Sequence, residues 1–570
     1  MTYQDYAEKI ESFAKEEQAR TADAAAGKIG AVEATRAAGA AEKIGRVVSV
    51  AGSQVIALLA AEDTPDHAEH PGTLQIGALV KMRTPETMVF GMVSGLSIPI
   101  PGQSPDETEM RIVELEMVGE AVEGADGKAI PFRRGVSFCP ALGDDVYATN
   151  QEDLRHVYAR PDVASARIGT IYQDQSLPAF IAIDDLLGKH FAILGTTGSG
   201  KSCAVATILR AILSQHPEGH VLLLDIHNEY GHAFADCAEL LGPSTLKLPY
   251  WLLSFDELRE IVVERVENRE ADVSILKAAV IHAKQDFNKD GDGEEFFFSG
   301  DSPIPYRLSD VVRHIEESLG KLERATDSAP YLRLRDRINT LQADRRFKFM
   351  FEEGLTIKDT MVDILSLLFR IPADGKPITI LDLSAIPSDI LNVVISLVCR
   401  LTFDFALWAE RDVPMLLVCE EAHRYASQND ESGFETTKRA LSRIAKEGRK
   451  YGVSMCIVSQ RPSELAVGIL SQCNTIFAMR MSNQKDHEFV RGTLSESALG
   501  LMESLPSLRT GEAIAVGEGL TVPVRLCFDL LPENQRPLSG TASFSSAWKK
   551  GDKDRAFVAE IIARWRRQRR

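Results

Sequence analysis

Two periodicities divide this chain. From about residue 44 to 150, short β-rich runs such as Gly45-Arg46-Val47-Val48-Ser49-Val50, Val55-Ile56-Ala57-Leu58-Leu59, Leu79-Val80-Lys81-Met82 and Met88 to Val93 are broken by Gly, Pro and Asp. Ile112 to Val118 continues the series. Regularly spaced short strands of this kind predict a small β-barrel. Beyond Arg167 the pattern changes. His190-Phe191-Ala192-Ile193-Leu194 is wholly apolar, and after Ser202 the positions Val205, Ile208, Leu209 and Ile212 mark one face of a helix. Further apolar runs follow at Val221 to Leu224, Ile378 to Leu383, Met415 to Cys419, Ser454 to Ser459 and Thr475 to Met479. Continuous apolar strands separated by helices predict a parallel sheet buried on both faces. Between them the period is helical from Ser254-Phe255-Asp256-Glu257, a capping-box pattern, to about 370. That stretch is too long for a loop of a compact sheet domain and reads as an inserted helical subdomain.

The expected division is an Ala-rich helical arm at 1–43, a β-barrel domain at 44–166, an α/β core at 167–254 and 371–540 with the helical subdomain at 255–370 between its halves, and a basic helical tail at 541–570. The arm is interrupted by Gly27, Gly30 and Gly39 and is compatible with a frayed helix or with an arm ordered only in an oligomer.

Composition adds limits. The net charge of −18 argues against a protein that coats nucleic acid with its whole surface, and leaves room for a local basic channel. The tail is the exception, with Arg564, Arg566, Arg567, Arg569 and Arg570 around Trp565, suited to solvent, a partner or nucleic acid. The start carries no secretory pattern and no apolar run is expected to span a membrane, which predicts a cytoplasmic protein. The eight cysteines show no C-x-x-C pair; Cys203, Cys399, Cys419 and Cys456 read as reduced core residues. Asp66, His67, Glu69 and His70 read as a solvated loop. Asp286, Asn288, Asp290 and Gly291 match half a calcium loop, but Phe297 stands where a bidentate Glu is required.

Gly195-Thr196-Thr197-Gly198-Ser199-Gly200-Lys201-Ser202 fits the phosphate-loop pattern at every fixed position, between an apolar strand and a helix start. Its glycines let successive N–H groups point at one anion, Lys201 reaches the β- and γ-phosphates, and Ser202 holds Mg²⁺. Phosphate contacts are expected from Gly195 through Ser202 and from Cys203. Glu420-Glu421 closes a later apolar strand. The first acid is expected to hold hydrated Mg²⁺, and the second to orient or deprotonate the attacking water. Gln460, at the end of the next strand, is either a sensor of the γ-phosphate or an ordinary turn residue. Arg449 precedes that strand and is placed to reach a phosphate at a protomer boundary.

These stretches, with Asp225-Ile226-His227-Asn228-Glu229-Tyr230, Leu248-Pro249-Tyr250-Trp251, Leu381-Asp382-Leu383-Ser384, Glu420-Glu421-Ala422-His423, Glu447-Gly448-Arg449-Lys450 and Ser459-Gln460-Arg461-Pro462, resemble the HerA family of the FtsK/HerA P-loop motors over about 44 to 530. The resemblance implies a RecA-like P-loop core behind an N-terminal β-barrel. It also implies a homohexameric ring with ATP and Mg²⁺ between protomers, and double-stranded DNA in the pore with low sequence preference. A nuclease or NAD-consuming effector as partner, in DNA end processing or anti-phage defence, belongs to the same implication. By position Glu421 is the catalytic carboxylate, Gln460 the sensor and Arg449 an arginine acting on phosphate. Lys189 stands where relatives carry a trans-acting arginine; it keeps the charge and loses the bidentate fork. Ser427 to Phe434 is the expected pore loop. The competing expectation is an ATP-gated ring that scaffolds an effector without translocation.

Overall fold

The computed structural model describes residues 42–59, 74–98, 110–121, 132–242, 244–263, 269–289, 299–321, 328–352, 359–428, 435–493, 499–538, 544–549 and 554–567. The arm, the 66–70 loop, most of the calcium-like stretch and all but the first two residues of the expected pore loop lie outside these. The chain divides after His156 into two compact units.

The first unit is built from strands β1 (Lys43–Ala51), β2 (Gln54–Leu59), β3 (Leu79–Arg83), β4 (Met88–Ser97), β5 (Ile112–Ala121), β6 (Arg133–Arg134) and β7 (Asp145–Ala148). Their order is β2-β1-β7-β3-β4-β5-β6, and β2 also pairs with β5. That extra pairing closes six strands into a barrel with β6 appended. Alternate residues point inward, so Val55 and Ala57 of β2 meet Val47, Val80, Met82 and Val113 in one sealed core.

The second unit holds an eleven-stranded sheet. Its strands are β8 (Ser165–Ile171), β9 (Pro178–Ala182), β10 (His190–Leu194), β11 (Val221–Asp225), β12 (Ala238–Leu241), β13 (Ile378–Asp382), β14 (Met415–Cys419), β15 (Val453–Ser459), β16 (Cys473–Met479), β17 (Glu512–Gly517) and β18 (Val524–Phe528). The order is β12-β13-β11-β14-β15-β10-β16-β17-β18-β8-β9. From β12 to β16 every pair is parallel, and from β16 onward every pair is antiparallel. This is an α/β P-loop core of the RecA-like kind. β8 and β9 precede β10 in sequence yet lie at the far edge beside β18. The core unit therefore starts at Val157, before the expected boundary at 166, because Ile171 and Thr170 pair with Leu526 and Cys527.

The helices of this unit include α1 (Lys201–Leu213), α2 (Phe255–Val262), α3 (Glu270–Lys289), α4 (Leu308–Gly320), α5 (Ala329–Ala343), α6 (Met361–Phe369), α7 (Ser388–Trp408) and α8 (Glu435–Glu447). Helices α2 to α6 lie between β12 and β13 in the chain. The capping box at the start of α2 is present: Ser254 Oγ accepts from Glu257 N at 3.3 Å while Glu257 accepts from Ser254 N at 2.9 Å. The buried Glu257 carboxylate also receives Arg400 of α7 at 3.0 Å and Ser396 at 2.8 Å. This pins α2 to the core; losing one partner of such a buried pair costs about 3–5 kcal/mol.

Two expectations are corrected. Ile390–Trp408 is long and apolar enough to cross a membrane; 72% of that stretch is buried, so it is a core helix whose apolar residues are covered by protein. Cys203 is exposed on the first turn of α1, whereas Cys399, Cys419 and Cys456 are buried as expected. None of the eight cysteines is in a disulfide.

Candidate nucleotide site

The phosphate loop runs from the end of β10 into α1. Neighbouring strand ends hold its shape: Gly195 N donates to Ser459 O at 3.2 Å, and Thr196 donates to Arg480 O through N at 2.9 Å and Oγ1 at 3.0 Å. Gly198 and Gly200 have φ of 75° and 103°, where a side chain is strained. At Gly195 a Cβ would come within 2.9 Å of Met479 Cβ and Ser199 Oγ. The loop is therefore built for glycine where the pattern requires it. Lys201 is buried, and its ammonium donates to Thr196 O at 3.2 Å. Burial lowers its pKa, while the charges of Glu421, Glu420 and Glu229 oppose that shift.

The acids converge from two other strand ends. Glu421 follows β14 in the left-handed region, φ 49° and ψ 41°, and opens the short 3-10 turn Ala422–Arg424. A non-glycine residue there carries strain. That conformation accompanies contact with its neighbours: Gln460 Nε2 donates to Glu421 Oε1, and Thr197 Oγ1 donates to Gln460 Oε1. His423 Nδ1 lies 3.2 Å from Glu421 Oε2. Phosphate loop, Gln460 and Glu421 thus form one connected chain of side chains.

Ser202 Oγ donates to Glu229 Oε2 at 2.7 Å. Glu229 arrives on the loop after β11, where Asn228 has φ 55° and the Asp225 carboxylate accepts from Glu229 N at 3.1 Å and Tyr230 N at 2.9 Å. Glu420 is buried, and its Oε2 has no hydrogen-bond partner among the described residues. Burial pushes its carboxyl up to about 8; the Tyr230 hydroxyl opposes the rise, and Glu229, Asp225 and Glu421 add to it. A buried carboxylate with an unpartnered oxygen, within the field of Glu229 and Glu421, suits a hard, oxygen-seeking cation such as Mg²⁺.

Comparison with known proteins decides the lineage. Residues 166–402 match the model of the family described as "Helicase HerA, central domain". The DNA double-strand break repair helicase HerA of Pyrococcus furiosus is 25% identical over 479 residues, covering 74% of this chain and 78% of that protein. The protein of the same name from Sulfolobus acidocaldarius is 28% identical over 434 residues, covering 75% and 80%.

Residues 166–402 carry the HerA central domain.

The chain is accordingly an ATP-hydrolysing enzyme. Among solved structures, VirB4 of Thermoanaerobacter pseudethanolicus aligns over 66% of this chain and 99% of its own at 15% identity, with a TM-score of 0.47. The fold itself rests on the strand order given above.

Two candidate residues stand apart from the others. Lys189 immediately precedes β10, and Arg449 lies in the turn Gly448–Tyr451 before β15, so both sit at the amino end of the sheet. The five residues of β10 separate Lys189 from the phosphate loop by roughly 17 Å. Lys189 is ion-paired with Glu518. Arg449 is exposed, and its guanidinium has no hydrogen bond or ion pair to a described residue. Its charge, after burial, lowers the pKa of His190 beside it.

Sequence reasoning missed three contributors. Glu229 lay within a quoted motif, but its reach to Ser202 depends on the Asn228 turn. Thr510 and Gly511 also brace the loop, Thr510 Oγ1 donating to Gly198 O at 3.2 Å and Gly511 N to Ser199 O at 2.9 Å. Their only signal was a Thr-Gly turn before β17.

Proposed function

We propose that the chain is a ring-forming, DNA-translocating ATPase in which each protomer hydrolyses ATP at its boundary with the next. The observation that carries this is the Thr197–Gln460–Glu421 connection, which links the phosphate cradle to a strained, buried acid across two strand ends. The name of the Pyrococcus and Sulfolobus relatives, a DNA repair helicase, supports DNA as the track.

The backbone N–H groups of Gly198 to Ser202 receive the phosphates, and Lys201 releases Thr196 O to meet the β- and γ-oxygens. Ser202 and Glu420 would hold Mg²⁺, joined here by Glu229, with phosphate and water supplying the remaining ligands; when bound, the ion neutralises charge on the phosphoryl oxygens. Glu421 accepts a proton from the attacking water. Gln460 shares one side chain between Glu421 and Thr197, so arrival of a γ-phosphate at Thr197 shifts the acid into place. The exposed Arg449, far from its own phosphate loop, faces a neighbouring protomer's nucleotide in a ring, with Lys189 beside it. A hexamer satisfies this arrangement. A nuclease-type partner, in end processing or anti-phage defence, completes the reading.

The test is ATP hydrolysis by the purified chain with and without linear duplex DNA, beside Glu421→Gln. Stimulation by DNA that is salt-sensitive and lost in the variant is the expected result. Slow turnover indifferent to DNA would sink the motor and favour the ATP-gated effector scaffold.

A further inference from the structure

A cavity of about 300 Å³ opens beside the nucleotide site, at the carboxyl ends of β11 and β13. Its polar lining is His227, Ser384, Ser388 and Arg424. His227 and Arg424 are exposed, and neither side chain makes a hydrogen bond or ion pair to a described residue. Elsewhere in the core most arginines are engaged, as Arg400 is with Glu257 and Arg210 with Asp236. The acids at the two strand ends are themselves occupied: Asp382 accepts from Ser384 N at 3.0 Å, and Asp225 holds the 229–230 amides. Ser388 begins α7, a helix of 21 residues whose N-terminal dipole adds positive potential. An unengaged arginine, an unengaged imidazole, two hydroxyl-bearing residues and a helix start around one open cavity are the chemistry of a phosphate site.

His227 is two residues before Glu229, which accepts from Ser202. Arg424 ends the 3-10 turn that Glu421 opens. Each of these two donors therefore shares a short, structured loop with one acid of the nucleotide site. We propose that this cavity binds a phosphate group, and that occupancy is relayed to Glu229 and Glu421 through the loops carrying His227 and Arg424. The source of the phosphate, a backbone diester of the DNA, rests on the function proposed above; the site's chemistry does not.

The full-length protein, its nucleotide site filled with a non-hydrolysable ATP analogue, is titrated with labelled linear duplex across a series of salt concentrations. Arg424→Ala should weaken binding about tenfold and lower the slope of log K against log salt by about 1. Arg424→Lys, which keeps the charge, should restore the slope. His227→Ala should weaken binding by a smaller factor. With ATP in place of the analogue, the ratio of DNA-stimulated to unstimulated hydrolysis should fall toward unity in Arg424→Ala. Calorimetry with inorganic phosphate on the same analogue-filled proteins separates the two sources. If wild type ignores duplex but takes up phosphate in an Arg424-dependent manner, the cavity stands and the DNA-motor reading falls. Arg424→Ala that equals wild type toward both ligands overturns the proposal, whatever DNA does to the wild-type rate.

Discussion

The two ends of one parallel sheet carry opposite chemistry. At its carboxyl end lie the phosphate loop, three acids and Gln460, with Glu229 bonded to Ser202 and Gln460 bridging Thr197 and Glu421. At its amino end lie Lys189 and Arg449, at the surface, with Arg449 unengaged. Within a protomer the strands hold these groups apart by the length of the sheet. The carboxyl end sets buried acids around Lys201, and the amino end offers Arg449 with no partner among the described residues. The ring proposed above would bring the amino end of one protomer to the carboxyl end of the next.

The comparison breaks most sharply at Glu421. Glu421→Gln keeps the hydrogen bond to Gln460 and removes the proton acceptor, so hydrolysis should fall on the order of 10³-fold, within the span typical of a general base. Nucleotide binding, read by a fluorescent ATP analogue, should persist. A drop of only a few-fold would move the base elsewhere.

Next comes the amino end. Arg449→Ala should slow hydrolysis on the order of 10²-fold, as loss of one donor to developing charge does. Rings mixed from Arg449→Ala and Glu421→Gln protomers carry the sharper result. Some boundaries then pair an intact acid with an intact arginine, and activity should recover above either parent. No recovery, with subunit exchange verified by mass spectrometry, would return Arg449 to a structural role. Lys189 differs: its pairing with the half-exposed Glu518 is worth less than about 1 kcal/mol, so Lys189→Ala should leave stability nearly unchanged.

A third variant tests how the carboxyl end is braced. Glu229→Ala removes the partner of the Ser202 hydroxyl, and the Mg²⁺ concentration giving half-maximal hydrolysis should rise about tenfold, the scale on which orienting partners of metal ligands act. An unchanged requirement would mean that Glu229 merely tethers its loop.

Much of this was legible in the chain and some of it was not, for a physical reason in each case. The barrel core followed from alternation, since Val55 and Ala57 point inward at every second residue. The phosphate loop followed from glycines whose positions the backbone dictates. Gln460 was one of two readings, and its bonds to Thr197 and Glu421 are what favour the first. Placing β8 and β9 beside β18 required antiparallel pairing across more than three hundred residues of sequence, which leaves no local mark. Glu229 depended on one left-handed residue, Asn228. Cys203 looked like core because its neighbours Ala204 and Val205 are, yet the first turn of α1 turns it outward.

The smallest effect concerns the titratable group each end buries. Burial raises the pKa of the Glu420 carboxyl at the carboxyl end and lowers that of His190 at the amino end. Met455 N donates to His190 Nδ1 at 3.1 Å, so that nitrogen carries no proton and Nε2 donates to Ala445 O at 3.0 Å. Protonation would set a second N–H against the Met455 amide. The folded-state pKa is therefore below the usual 6.5, and the unfolded chain binds the proton first as pH falls. His190 thus contributes stability that is present above pH 6.5 and is lost as pH falls through its lowered folded value. Unfolding midpoints between pH 5 and about 8 should decline toward acid more steeply for wild type than for His190→Gln, which lacks the titration although it is less stable throughout. Parallel curves would mean that His190 is not kept neutral, and the arginine beside it would then need a different account of why it stays unpaired.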